Sequence, residues 1–193
     1  METVARRFCE KYHVPLDDGL HLLALMEPVA YKKGSCLVRE GERNSSFYII
    51  SEGIWRGHYL RNGVDVSLWF ASPGEAIFSV WGYVASRPSL ITIEAMNDSI
   101  VYHLPKSRTE EFLNSSANHA RMGRSLFEHL LMDMETWLIH SGSSQAKERY
   151  LALLEKEPEL LRYVPLKYIA SYLSVTPQSL SRIRAELARK KNI

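Results

Sequence analysis

Between Val29 and Leu104, seven glycines divide the chain into short runs rich in Val, Ile, Tyr, Phe and Trp. Gly34, Gly41, Gly53, Gly57, Gly63, Gly74 and Gly82 punctuate segments of strand length, bounded by turn residues. Phe47-Tyr48-Ile49-Ile50 and Ile54-Trp55 are strand-like. Tyr59-Leu60 and Val64–Phe70 flank Arg61-Asn62-Gly63, and Asn-Gly between apolar runs is the strongest short-range hairpin signal. Leu90–Ala95 and Ile100–Leu104 are separated by the turn-forming Asn97-Asp98-Ser99. Short strands at this spacing predict a small antiparallel barrel or jelly roll.

Helical periodicity lies on either side of this region. Residues 1–27 carry Val4, Phe8, Leu20, Leu22-Leu23 and Leu25-Met26, broken at Pro15 and ended near Pro28. From Lys106 a short helix closes at Phe112-Leu113, and Asn114-Ser115-Ser116 offer caps for the next. That helix, over about 115–140, contains no Pro and one Gly, Gly123. Phe127, Leu130, Met134 and Trp137 recur at steps of 3, 4 and 3, which suits a core stripe or a seam against a second copy. Ser141-Gly142-Ser143-Ser144 is a composition shift that reads as a linker. The expected organisation is therefore residues 1–140 as one unit, long helix included, and 141–193 as an all-helical second unit.

Charge is divided unevenly between these parts. Residues 1–140 hold 14 Lys and Arg against 17 Asp and Glu, whereas residues 141–193 hold 10 against 5. From Tyr163 onward Glu186 is the only acidic residue among six cations. A basic end on an acidic body points to a polyanionic partner for that end.

Leu166–Ile183 reads as a helix-turn-helix. Ile169, Leu173, Leu180 and Ile183 supply a shared core, Ala170 lets two steeply crossed helices touch, and Val175 plugs the turn. Thr176 is an N-cap and Pro177 occupies the first helical position. Gln178, Ser179, Ser181 and Arg182 follow on the polar side. Gln178 and Arg182, four residues apart, point the same way. Gln can pair with adenine and Arg with guanine in the major groove. Ser179 is expected to donate to phosphate, and Lys190 and Lys191 to contact the backbone.

Other chemistries lack their residues. The chain has 193 residues, enough for a core without staples, and no run approaches the roughly 18 apolar residues of a membrane span. The charged N-terminus has no secretory h-region, so a cytoplasmic location is expected. Two cysteines, Cys9 and Cys36, exclude a disulfide framework and a four-Cys cluster. Cys9 has no paired basic neighbour to activate it. His58 and His103 stand singly among the strands, which argues against a metal oxygenase. His119 and His129 fall on the long helix and are expected at its surface or dimer seam. There is no phosphate loop or nucleophile elbow. No enzyme, metal or cofactor is expected.

Taken together, a β-roll, one long helix and a helix-turn-helix resemble the Crp/Fnr family of bacterial transcription regulators. The resemblance runs from Val29 to Leu187. It rests on Lys33-Gly34, Glu40-Gly41-Glu42, Phe47–Gly53 as a strand-and-glycine signature, Ser72-Pro73-Gly74-Glu75 as the turn into a phosphate-binding cassette, and the helix-turn-helix. It implies an α+β fold and a homodimer held by the long helices. It implies double-stranded DNA as partner, with RNA polymerase and a small-molecule effector as further ones, and no membrane.

Two departures qualify it. Cyclic-nucleotide binders of the family carry Gly-Glu and later Arg-Ser in the cassette; here those positions read Phe78-Ser79 and Pro88-Ser89, with Arg87 one residue early. Phe78, Ser79, Trp81, Arg87 and Ser89 are the effector-pocket candidates, and an altered or self-filled pocket is expected rather than cyclic AMP binding. The family also follows its recognition helix with a β-hairpin wing, which the sequence up to Ile193 leaves absent or truncated. The alternative is a small-molecule-sensing or protein-interaction module without sequence-specific DNA binding.

Overall fold

We describe a computed structural model that places residues 1–143 and 145–191, without the side chains of residues 140–143, 156, 190 and 191. Two helices open the chain, α1 (Glu2–Tyr12) and α2 (Leu16–Ala24). Eight strands follow: β1 (Glu27–Tyr31), β2 (Cys36–Val38), β3 (Phe47–Glu52), β4 (Trp55–Arg61), β5 (Val64–Ala71), β6 (Ala76–Ile77), β7 (Thr92–Ala95) and β8 (Ser99–Leu104). A short helix, α3 (Val80–Ala85), interrupts them between β6 and β7. Helical structure then resumes with α4 (Lys106–Asn114), α5 (Ala117–Ser143), α6 (Ala146–Lys156), α7 (Leu160–Tyr163), α8 (Leu166–Tyr172) and α9 (Pro177–Lys191).

The strands form two antiparallel sheets, ordered β1-β8-β3-β6 and β2-β7-β4-β5. This is the expected roll, open rather than a closed barrel. The Arg61–Val64 hairpin turns through Asn62 and Gly63, both with positive φ (52° and 78°). A two-residue turn of that hand matches the twist of the flanking strands, which is why Asn-Gly marks it. Gly53 is fixed by a different constraint: φ is 94°, and a Cβ there would lie 2.0 Å from Ser99 Oγ.

β3 is apolar at every position from Phe47 to Ile50 because its sheet is covered on both faces. Phe47 and Ile49 join the core formed by α1, α2, α4 and α5, while Tyr48 and Ile50 point into the roll beside Trp55, Ile93 and Val101. Successive side chains of a strand alternate faces, so one unbroken run serves two cores.

Three expectations change. The helical N-terminal segment ends sooner than Pro28, since Glu27 and Pro28 already pair with His103 and Tyr102 in β1–β8. Ser141-Gly142-Ser143 is the last turn of α5 rather than a linker, and Ser144 lies outside the described residues. Extending a helix that is already nucleated costs only the local propensity difference, about 1 kcal/mol for Gly against Ala. Finally, the stripe on α5 is shifted. Leu130 packs on its own core and Trp137 is half-buried. Among the described residues, six large apolar side chains of α5 are exposed, Met132 (51%) and Ile139 (59%) among them; the other four, Phe127 (40%), Leu131 (67%), Met134 (61%) and Leu138 (60%), recur at steps of 4, 3 and 4.

The C-terminal helices have their own core, in which Tyr150, Leu160, Ile169, Ala170, Leu173 and Leu180 are buried. It is continuous with the roll through Ile54 and Met96. The described residues after α5 contain helices and no strand.

Candidate nucleic-acid interface and effector cassette

α8 and α9 form the expected helix-turn-helix. α8 ends as the Leu173 N–H bonds the Ile169 carbonyl, and Ser174 takes the left-handed conformation (φ 54°) that reverses the chain. The Val175 N–H returns to the Ala170 carbonyl at 2.9 Å. Arg149 of α6 donates to the Leu173 carbonyl at 2.8 Å, satisfying an orphan acceptor at the end of α8. Thr176 caps α9: its Oγ1 accepts the Ser179 N–H at 3.1 Å. Leu180 is buried and Ile183 and Leu187 pack against the same core.

That packing leaves the opposite side of α9 open. Pro177, Gln178, Ser181 and Arg182 are exposed on its first turns, as is Thr176 before them. Ser179 is half-buried, with its Oγ 3.0 Å from Thr176 Oγ1. Its hydroxyl thus lies beside the cap. Lys190 and Lys191 end the helix, and their side chains lie outside the described residues.

α8 is docked on β5. Ser171 Oγ accepts the Ser67 N–H at 3.0 Å and donates to the Asp65 carbonyl at 3.1 Å. The Tyr172 ring packs on Phe70 at 5.5 Å. Beneath Tyr168 lies a buried guanidinium: Arg56 is fully enclosed, with its Cζ 3.6 Å from the Tyr168 ring centre. Arg56 binds both oxygens of Asp65, at 2.9 and 2.7 Å, and faces Glu94 at 3.8 Å. A buried charge survives only when paired and hydrogen-bonded in this way.

His58 lies in the same cluster, 3.5 Å from Asp65 and 3.6 Å from Glu94. Its pKa is nevertheless below the usual histidine value. Burial is the main cause and the Arg56 guanidinium the second, and together they outweigh Asp65, Glu94 and Glu40. The Asp65 carboxylate is already committed to Arg56. Neutral His58 therefore favours the folded state above its unfolded pKa of about 6.5, and that contribution is lost as pH falls through the lower folded value. Stability measured by urea unfolding should decline between pH 7 and pH 5, and His58→Gln should flatten the decline. Equal slopes for the two proteins would remove His58 from this role.

Each of the cassette residues has contacts within its own chain. Ser79 is buried and caps α3, accepting the Gly82 N–H at 3.1 Å. Gly82 is pressed against the Asn44 carbonyl, where a Cβ would sit 1.9 Å from the oxygen. Ser89 is buried and its Oγ donates to the Ile91 carbonyl at 2.7 Å. Trp81 is exposed, and Arg87 lies over it with Cζ 5.7 Å from the ring centre. Phe78 turns into the helical core, its ring 5.7 Å from Phe47, 5.2 Å from Tyr83 and 6.0 Å from Phe127. A neighbouring cavity of about 20 Å³ is lined by Phe8, Leu22, Phe47, Tyr83 and Phe127 among others, which leaves room for about one water.

Residues 28–116 match the cyclic nucleotide-binding domain family. FixK2 from Bradyrhizobium japonicum is similar over 86% of each chain, at 20% identity and a TM-score of 0.73. The c-di-GMP-responsive global regulator CLP of Xanthomonas campestris is similar over 92% of this chain and 93% of its own, at 14% identity and a TM-score of 0.71. A Crp-family transcriptional regulator from Thermus thermophilus covers 84% and is covered to 85%, at 19% identity and a TM-score of 0.66. No curated protein matches the chain. The chain shares the fold of these three proteins: a β-roll, the long helix α5 and a helical C-terminal part, α6–α9.

The histidines are distributed differently from expectation. His119 lies neither on an open surface nor on the α5 stripe: it stacks on Phe112 at 4.0 Å and approaches Asp18 of α2. His129 is half-buried against Tyr12 and His13. Both thiols are pushed up by burial, which leaves neither primed for nucleophilic chemistry. Among the described residues, no helix is long and apolar enough to cross a membrane.

Proposed function

We propose that this protein is a homodimeric, sequence-specific DNA-binding transcription regulator whose cassette does not take cyclic AMP. The observation that carries the first half is α9: an exposed polar turn, started by Thr176, standing out from a buried helix-turn-helix core in the basic end of the chain. Pro177, Gln178, Ser181 and Arg182 meet bases, and Thr176 and Ser179 set the helix's entry. Lys190 and Lys191 are the backbone cations. Residues 1–140 act as effector and dimerisation unit, and 141–193 as DNA-binding unit. RNA polymerase is the natural further partner of such a regulator, and the cytoplasm its compartment.

Salt is the direct test of the DNA partner. Each phosphate neutralised contributes a slope of about −0.9 in log K against log salt. A slope near zero would favour the protein-interaction alternative.

The second half rests on side chains already committed elsewhere. Cyclic-nucleotide recognition needs a carboxylate for the ribose and a cation for the phosphate. Ser79 supplies no carboxylate and is used as a cap, Phe78 is turned into the core, and Arg87 lies on exposed Trp81. Calorimetry with cyclic AMP should give no binding at physiological concentration. A low-micromolar constant lost in Arg87→Ala would place a working site there instead.

A further inference from the structure

We propose that Asp18, His21 and His119 form a binding site for a divalent first-row transition metal ion such as Zn²⁺, clamping α2 to the start of α5. One ligand atom from each lies within 4.8 Å of the others. Asp18 and His21 are three residues apart on α2 and share its face. His119 comes from the first turn of α5, about a hundred positions away in sequence.

Two further observations point to a cation there. Asp18 is 8% exposed, and its Oδ2 is fully buried with no hydrogen-bond partner. A buried carboxylate oxygen left in that state is costly unless a positive charge satisfies it. The second observation concerns the His119 ring. Ser115 Oγ donates its only proton to the Phe112 carbonyl at 2.7 Å. It must therefore accept from His119 Nδ1, 2.7 Å away. That tautomer leaves Nε2, 3.5 Å from Asp18 Oδ1, as the ring nitrogen that can turn a lone pair to a metal ion. The carboxylate oxygen and the imidazole nitrogen then flank a gap suited to a cation.

The dimensions agree with coordination. Ligands each about 2.0–2.1 Å from a tetrahedral zinc lie about 3.3 Å apart, close to the separation of Nε2 and Oδ1. The Ser115–His119 bond is the outer-shell contact that fixes tautomer and ring orientation in metal-ligating histidines. His21 is exposed, so a rotamer change closes the third bond and leaves a remaining position to water. Two imidazoles and one carboxylate suit Zn²⁺ and its neighbours rather than Mg²⁺ or Ca²⁺.

The experiment uses the full chain, stripped with chelator and titrated with Zn²⁺ by calorimetry. Wild type should take up one equivalent with a dissociation constant of about 1 μM or below, and its melting temperature should rise. His21→Ala removes an exposed ligand without disturbing the core and should lose both effects. Ser115→Ala should weaken binding about 10–100-fold through the outer shell. Absence of stoichiometric uptake by wild type would overturn the proposal, leaving a proton between His119 and Asp18. Undiminished uptake by both variants would also overturn it and move the metal elsewhere, with His13 and His129, 5.0 Å apart, the next pair to substitute. None of these readouts depends on DNA binding.

Discussion

Leu131→Asp combined with Met134→Asp should convert the protein to monomers and abolish binding to a two-fold DNA site. Phe127, Leu131, Met134 and Leu138 form one apolar stripe on α5 with coiled-coil spacing, all 40% or more exposed. Burying a Leu or Met side chain is worth about 1.5–3 kcal/mol. Two such residues on each of two copies give about 6–12 kcal/mol, comparable with the whole free energy of a nanomolar dimer. A two-fold seam also brings the new carboxylates toward their own symmetry mates. Sedimentation should report a dimer for wild type and about 22 kDa for the variant. The control is Leu130→Ala with Trp137→Ala. Leu130 packs on its own protomer and Trp137 is half-buried, so that pair should lower the melting temperature more than it alters the oligomeric state. A wild-type monomer at micromolar concentration would refute the seam.

The distinction between those two pairs shows where sequence periodicity stops being informative. Leu126, Phe127, Leu130, Leu131, Met134, Trp137 and Leu138 satisfy more than one helical stripe. The choice depends on which side α1, α2 and α4 cover, and that is a property of the fold. The roll was legible because its signals are local: Asn62-Gly63 specifies its turn, and the run Phe47–Ile50 is long enough to mark a strand. The helix-turn-helix was legible for the same reason, since Ala170, Val175, Thr176 and Pro177 act within one or two turns of their own positions.

What escaped the sequence was long-range. Nothing near Arg56 announces Tyr168, and nothing near Asp18 announces His119. α3 leaves no mark in the sequence, because six residues are too few for a period to register. Ser141–Ser143 reads as a linker because Gly and Ser are breakers on average, whereas here they extend a helix already formed. Among the candidate site residues, the exposed set on α9 could be read from capping and polarity. The cassette residues could be named, but not the fact that Ser79 and Ser89 spend their hydroxyls on the backbone.

Arg182→Ala should cost about 1–3 kcal/mol of specific affinity and relax preference at one base pair in each half-site. Arg182 and Gln178 share the open side of α9, one turn apart, and the cap at Thr176 points that turn outward. Arg can reach the two acceptors of guanine at once, so its loss removes a bidentate contact rather than a general attraction. Lys190→Ala or Lys191→Ala should instead weaken all sequences alike and flatten the salt dependence. The two kinds of variant thus separate reading from holding.

In vitro selection from random duplex DNA, with wild type beside Arg182→Ala, tests the central claim most directly. Wild type should enrich an inverted repeat with half-sites about 10–11 base pairs apart, because a two-fold protein places its two α9 helices in successive major grooves. The variant should enrich the same repeat with one position per half-site degenerate. A wild type that enriches no repeat, or a variant that selects the identical site with equal affinity, would contradict the account.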